Sequence, residues 1–417
     1  MSALLDGIRA ARRAQPALAN ASGETRRRLL QQAGCHIQKH AAKILAANQE
    51  DLDRYTRDDS GRDRLTLNPR RIEDLLQGIT DVANQPDPLG RVLEDRLLPN
   101  GIRLSRISVP LGVVGVIYES RPNVTVDISV LGLYAGNAVL LKGGRESFRT
   151  NEALVECLAA ACRDVGIPPD VVYLIDPESD WKTELMECVG GVDVLIPRGG
   201  AGLIDFVRRT AKVPVIETGA GVCHTFVDFP ADPQMAANII VNAKVQRPSV
   251  CNALDCVVVH RNSLDGLVEA VAPGLASCGV EVRADQESYP VWQKHYPANL
   301  LKHAEPADYG MEFLSLRMSV KTVGSFEEGL EFIQEHTSHH SEAIVTDSAG
   351  HAERFLAEVD AASVLHNAST RFTDGAQFGL GAEVGISTQK LHARGPMGIE
   401  ALTSYKWLAR GSGQVRA

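Results

Sequence analysis

The chain lacks any CxxC or CxxH cysteine pairing, is poor in aromatic residues (5%) and has no excess of basic charge. The first and last of these exclude whole function classes. Its eight cysteines, at 35, 157, 162, 188, 223, 251, 256 and 278, are too scattered for a zinc framework or a disulfide scaffold. With 43 Lys and Arg against 52 Asp and Glu, the net charge of −9 gives no field for a nucleic-acid backbone or an anionic membrane. Local arginines still leave a small anionic substrate open. No segment reaches the roughly 18 apolar residues of a spanning helix, because runs 109–118 and 128–141 are interrupted by glycines. Residues 1–15 carry Arg9, Arg12 and Arg13 without the apolar stretch of a secretory signal, and read as an amphipathic helix of a cytoplasmic protein. His336, His339 and His340 have helical ligand spacing, yet no cysteine or carboxylate pattern completes a tetrahedral set, so no metal is expected.

What is present suits an α/β protein. At 417 residues the chain has room for two or three domains. Leu29, Leu30, Ala33, Ile37, Ala41, Ile44 and Leu45 form the stripe of one long helix over 23–54, with Arg26, Arg27 and Arg28 on its solvated face. A second helix is expected over 69–84. Between 91 and 110, Asn100-Gly101 marks a hairpin whose exposed edge calls for cover, such as a subunit contact. Strands at 113–117, 138–141, 171–175, 193–196 and 213–216 then alternate with helices at 124–135, 150–165, 181–188 and 203–211, which implies a parallel sheet. A second α/β unit starts near Asp228, and an apolar strand is expected at 402–408, free to pair across a subunit boundary.

Several strand ends carry chemistry-bearing residues. Arg198-Gly199-Gly200 opens a helix after a strand, offering backbone N–H groups to an anion such as a pyrophosphate; a plain turn fits equally well. Lys142, Gly143, Gly144 and Arg145 end another strand, where cations suit phosphate or ribose groups, and an exposed basic loop is the alternative. Glu217 leaves the strand at 213–216 as a base, a binding group or a turn cap. Cys251, in the segment 246–252, sits after a helical stretch and before the strand 254–260. Nearby cations, Lys244 or Arg247, or a helix N-terminus would favour its thiolate, and no histidine close in sequence offers a base. Its flanks are more polar than those of Cys223, so Cys251 is the preferred nucleophile, while spacing alone leaves a core thiol open.

The segments 109–125, 141–147, 215–219, 246–252 and 378–388 through 394–398, in that order, resemble the aldehyde dehydrogenase superfamily over nearly the whole chain. Within it they are most similar to the branch that reduces an acyl phosphate. The resemblance implies an aldehyde-dehydrogenase-like α/β fold: a Rossmann-like cofactor domain (1–90 and 110–227), an α/β catalytic domain (228–390), and a β-hairpin oligomerisation arm with a C-terminal strand (91–109 and 391–417). It implies Cys251 as nucleophile, Asn123 as oxyanion donor, and NADPH bound through Lys142, Gly144, Arg145, Arg198, Gly199, Gly200, Glu217 and Glu383. Arg145 stands where NAD-using relatives have a glutamate, which suits a 2′-phosphate. Glu217 matches the position that activates a deacylating water in aldehyde-oxidising relatives, a water that an acyl-phosphate reductase does not need. The implied substrate is L-glutamate 5-phosphate, supplied by a separate glutamate 5-kinase, with Arg121 and Arg247 as candidates for its anionic groups unless they form structural ion pairs. A homo-oligomer is also implied. Oxidation of another small aldehyde and a silent scaffold are the alternatives.

Overall fold

The computed structural model describes residues 2–56, 59–119 and 121–416. Met1 of the expected first helix therefore lies outside the described residues. The chain divides into two compact units, one built from residues up to Thr218 with Gly379–Gly385 and Pro396–Ala417, the other from Gly219–Phe378 with Ile386–Gly395.

In the first unit, Ser2, Ser22 and Asn68 each accept a backbone N–H, which starts the helices Ala3–Ala19, Gly23–Lys39 and Pro69–Ala83. The single long helix expected over 23–54 is instead two, Gly23–Lys39 and Ala41–Arg54, separated at His40. The break follows from polar side chains that an uninterrupted apolar stripe does not reveal. Asn48 donates to Leu65 O (2.9 Å) and accepts from Leu67 N (2.7 Å), while Asp51 accepts from Thr150 N and Oγ1 (2.8 and 2.6 Å), so the second helix turns a buried polar face inward. Arg26 also departs from expectation. It is only 2% exposed, donating to both oxygens of Asp87 (2.6 and 2.7 Å) and to Tyr134 O (3.1 Å).

The apolar runs become a four-stranded parallel sheet in the order Val172–Leu174, Ala138–Lys142, Val113–Tyr118, Val194–Arg198. The two central strands are buried along their whole length, as continuous apolar runs covered on both faces must be. The expected strand at 213–216 reduces to a single bridge between Val215 and Leu195, and the helix expected at 181–188 spans only Trp181–Glu184. The hairpin forms as Val92–Leu97 against Arg103–Pro110, with Gly101 supplying the positive φ of the turn. Its inner edge is covered by Thr403–Arg410 of the same chain, running antiparallel from Thr403 opposite Pro110 to Arg410 opposite Arg103. That pairing is intrachain, and it leaves Val92–Leu97 and Thr403–Arg410 as the two edge strands of a three-stranded sheet.

The second unit holds seven parallel strands in the order Leu301–His303, Glu281–Ala284, Arg317–Val323, Leu254–His260, Cys223–Val227, Ser341–Val345, Ser363–His366. Cys223–Val227 thus belongs to this sheet and to the second unit, although it falls within the 110–227 segment expected to form the first domain. One core, with Val257, Val259, Leu267, Val271, Leu275 and Trp292, lies under the helices Pro233–Val245 and Leu264–Ser277; another, with Phe226, Val258, Phe326 and Phe355, packs beneath Phe326–His336 and Ala349–Glu358.

Candidate active site

In the first unit, the carboxyl ends of three neighbouring parallel strands carry most of the predicted residues. Beyond Val113–Tyr118 come Arg121, half-buried at the start of the helix Pro122–Tyr134, and Asn123, exposed in its first turn. Asn123 Nδ2 donates to Asp127 Oδ2 at 3.1 Å, one helical turn on. Burial pushes the Asp127 carboxyl up to about 6, against the bond from Asn123 and the charge of Arg198.

Lys142 ends its strand almost fully buried, donating to Gly143 O (2.8 Å) and lying 4.9 Å from the centroid of the Trp181 ring. Burial lowers its pKa. Gly143 has no room for a side chain, since a Cβ there would come 2.4 Å from Asn151 Nδ2. Gly144 precedes the short turn Arg145–Ser147. Arg145 is exposed and pairs with Glu178 at 3.0 Å, on the wall of a cavity of about 310 Å³ that Arg54 and Arg149 also line.

Arg198 ends the third strand with its Nε buried and without a hydrogen-bond partner among the described residues. Gly199 and Gly200 lead into the helix Ala201–Thr210, two residues earlier than expected. Gly200 N donates to Glu119 Oε2 (3.2 Å), so an internal carboxylate already occupies one of the N–H groups offered there. Glu217 stands 3.6 Å from Arg208. Glu383 lies on Gly379–Gly385, and that segment presses against the same sheet edge at Gly385, where a Cβ would come 2.7 Å from Arg198 Nη1 and from Thr218 Cγ2.

The second unit holds Cys251 and Arg247. Cys251 is half-buried in the turn between the helix Pro233–Val245 and the strand Leu254–His260, so the helix end nearest it in the chain is a C-terminus, which does not favour a thiolate. Arg247 is exposed. Lys244, expected to lower the thiol's pKa, is fully buried and turned away: it donates to Leu254 O (2.5 Å) and pairs with Asp255 at 3.6 Å. Cys223 lies below, fully buried, with its Sγ–H donating to Cys251 O (3.2 Å) and its pKa raised well above the usual thiol range by burial. Burial makes the Cys223 thiol a poor nucleophile. Gly221 fits under the Cys251 backbone only because it lacks a side chain, for its Cβ would come 1.6 Å from Cys251 O. The three clustered histidines diverge: His336 Nδ1 faces Phe332 O, His339 Nδ1 faces Asp360 O, and His340 Nδ1 faces Ser341 Oγ.

The model of the aldehyde dehydrogenase family matches residues 4–305. The chain belongs to that family. It is 50% identical to the gamma-glutamyl phosphate reductase of Chlorobium luteolum over 99% of this chain and 98% of the relative. With the enzyme of the same name from Legionella pneumophila it shares 47% identity over 98% of each. The crystal structure of the gamma-glutamyl phosphate reductase of Thermotoga maritima superposes with a TM-score of 0.95 at 38% identity, covering 100% of both chains. Within this aldehyde dehydrogenase fold, sequence reasoning missed Trp181, Arg54 and Arg149 beside Lys142 and Arg145, Asp127 behind Asn123, and Arg371 beside the cysteine loop. Asp127 and Arg149 each lie four residues beyond the residue they accompany, a spacing the sequence does show. Trp181, Arg54 and Arg371 carry no local signal, since distant chain brings each to its place.

Proposed function

We propose that the chain reduces L-glutamate 5-phosphate to L-glutamate 5-semialdehyde and inorganic phosphate, the second step of proline biosynthesis from glutamate. Near-full-length identity to proteins named for that reaction carries the reading. In it, the Cys251 thiolate attacks the γ-carbonyl carbon; the carbon–oxygen bond to phosphate breaks and a thioester remains. NADPH, when bound, supplies the hydride that reduces this thioester. Collapse of the resulting thiohemiacetal returns the thiolate and releases the aldehyde. Negative charge gathers on the former carbonyl oxygen in each step, and the Asn123 amide and the Cys251 backbone N–H are its donors; losing one such donor costs roughly 10²-fold or more in rate.

The residues at the first unit's sheet edge fit a phosphate-bearing dinucleotide. Arg198 Nε has no partner of its own, Lys142 is a desolvated cation, and Gly199 and Gly200 leave the backbone open to close approach. The cavity wall carries Arg145, Arg54 and Arg149 together with Asp51, Glu146 and Glu178; in this reading Arg145 exchanges Glu178 for a 2′-phosphate, and Glu383 holds the nicotinamide ribose. The reading extends to a cytoplasmic homo-oligomer fed by a separate glutamate 5-kinase, with Arg121 and Arg247 for the substrate's anionic groups. The test is the reverse reaction. Glutamate semialdehyde should reduce NADP⁺ only when phosphate is present, and Cys251→Ala should abolish it; phosphate-independent oxidation of other aldehydes, with none of the semialdehyde, would overturn the assignment.

A further inference from the structure

The cysteine loop is held by a segment more than a hundred residues away. Thr370–Phe372 forms a short turn started by Ser369, whose Oγ accepts from Arg371 N (3.3 Å). From that turn the Arg371 guanidinium spans the loop's two ends: Nε donates to Gln246 Oε1 (2.9 Å), where the preceding helix stops, and Nη1 donates to Asn252 Oδ1, the residue after the nucleophile. Asn252, 3% exposed, is pinned twice more, by Nδ2 donating to Thr373 O (2.8 Å) and by its carbonyl accepting from Thr370 Oγ1 (2.7 Å). A planar fork with two bonds in fixed directions is a device that lysine cannot reproduce.

Charge points the same way. Among the described residues of this unit, the titratable groups near Cys251 include Cys223 from the strand below with Asp255 and Glu342 beside it, Glu312 bonded to Gly221 N (2.9 Å), Arg247 from the loop itself, and Arg371 with Asp374 from the clamping segment. Lys244 is committed to Asp255 and Cys223 stays a neutral thiol. Among the described residues this leaves Arg247 and Arg371 as cations. Arg247 is exposed and screened by solvent ions, whereas Arg371 is half-buried and fixed by bonds to both ends of the loop that carries Cys251.

We propose that Arg371 is the positioning residue of the nucleophile: it fixes the 246–252 loop and supplies the standing positive charge that keeps Cys251 ionised without a histidine base. The proposal rests on Cys251 being the nucleophile, but the test of its charge role needs neither substrate nor dinucleotide. The rate of Cys251 alkylation by iodoacetamide, followed against pH on the Cys251 peptide by mass spectrometry, reads the thiolate directly. The intact protein should show an inflection below the ordinary thiol value of about 8.5. Arg371→Gln should move it up by about one unit and slow alkylation at pH 7 by about tenfold. Arg371→Lys, keeping the charge but not the fork, should hold the inflection low while turnover falls, and added guanidinium ion should restore part of the Gln variant's reactivity. A wild-type inflection at 8.5 or above, or an unmoved one in a Gln variant whose melting temperature is unchanged, would overturn the charge role. If the Gln variant does not fold, the lysine variant decides: unchanged turnover there refutes the clamp, and an inflection raised as far as 8.5 refutes the charge role. Loss of the reverse reaction with these alkylation results intact would count against the substrate assignment alone.

Discussion

Gly221→Ala is the sharpest probe of the site, because the perturbation is one methyl group and its consequence can be worked from distance. The added Cβ would stand 1.6 Å from Cys251 O, 2.4 Å from its carbonyl carbon and 2.8 Å from its Cα, all backbone atoms that cannot rotate aside. A Cβ essentially never comes within 3.0 Å of a non-bonded heavy atom, so the two stretches of chain must part by about 1.4 Å. Cys251 is tied on the other side through Asn252 to Thr370, Arg371 and Thr373, and the displacement therefore falls on the nucleophile. A shift of about 1 Å in a reacting group costs about 10²-fold in turnover. We expect kcat to fall by about that factor, with alkylation of Cys251 altered in parallel and cooperative unfolding retained. Gly78→Ala is the control: its Cβ meets nothing within 4 Å inside the helix Pro69–Ala83, and it should add about 0.5–1 kcal/mol of stability with activity unchanged. Wild-type turnover in Gly221→Ala would refute the reasoning, since it would mean that the loop tolerates a displacement its bonds should forbid.

Four further outcomes follow from other parts of the molecule. Arg26→Ala removes the buried partner of Asp87, itself 34% exposed, and should destabilise the fold by about 1–3 kcal/mol in urea unfolding, whereas Arg28→Ala, on the exposed face, should stay within about 0.5 kcal/mol. His340 is buried and held at about 4, so the unfolded chain gains a proton that the fold refuses; its share of stability is present above about 6.5 and is lost, up to about 3 kcal/mol, as pH falls towards 4. His340→Asn should lose that acid-side slope from its own urea profile, so the difference between wild type and variant should display it. Asp127→Asn weakens the acceptor that orients Asn123, and should lower kcat about tenfold while Cys251 alkylation is untouched. Arg145→Glu should raise the KM for NADPH by about 10- to 100-fold, the worth of a charge-assisted bond, with kcat little changed; an unchanged KM would remove Arg145 from the cofactor reading.

The legible parts of the sequence are those whose signal is local. Continuous apolar runs located the strands Val113–Tyr118, Ala138–Lys142 and Leu254–His260, and strand ends located Lys142, Arg198 and the turn that holds Cys251. Asn100-Gly101 located the hairpin for the same reason, a turn geometry fixed by two residues. What stayed hidden depends on partners far along the chain. Arg26 looks like one of three solvated arginines until Asp87 and Tyr134 arrive, and the break at His40 makes sense only once Leu65, Leu67 and Thr150 meet Asn48 and Asp51. Lys244 reads as a cation two turns from the nucleophile, but Asp255 claims it. Arg371 sits in an unremarkable polar stretch whose importance appears only where its fork meets Gln246 and Asn252.

The intrachain pairing of Thr403–Arg410 with Arg103–Pro110 sets an order of assembly. Synthesis proceeds from the N-terminus, and the entire second unit emerges between the hairpin and the strand that covers its inner edge. During that interval the hairpin presents an unpaired edge, so the nascent first unit is exposed to pairing with other chains until residues 403–410 have been made. Deleting residues from 403 onward would make that temporary state permanent, and association of the truncated protein through Arg103–Pro110 is the expected result.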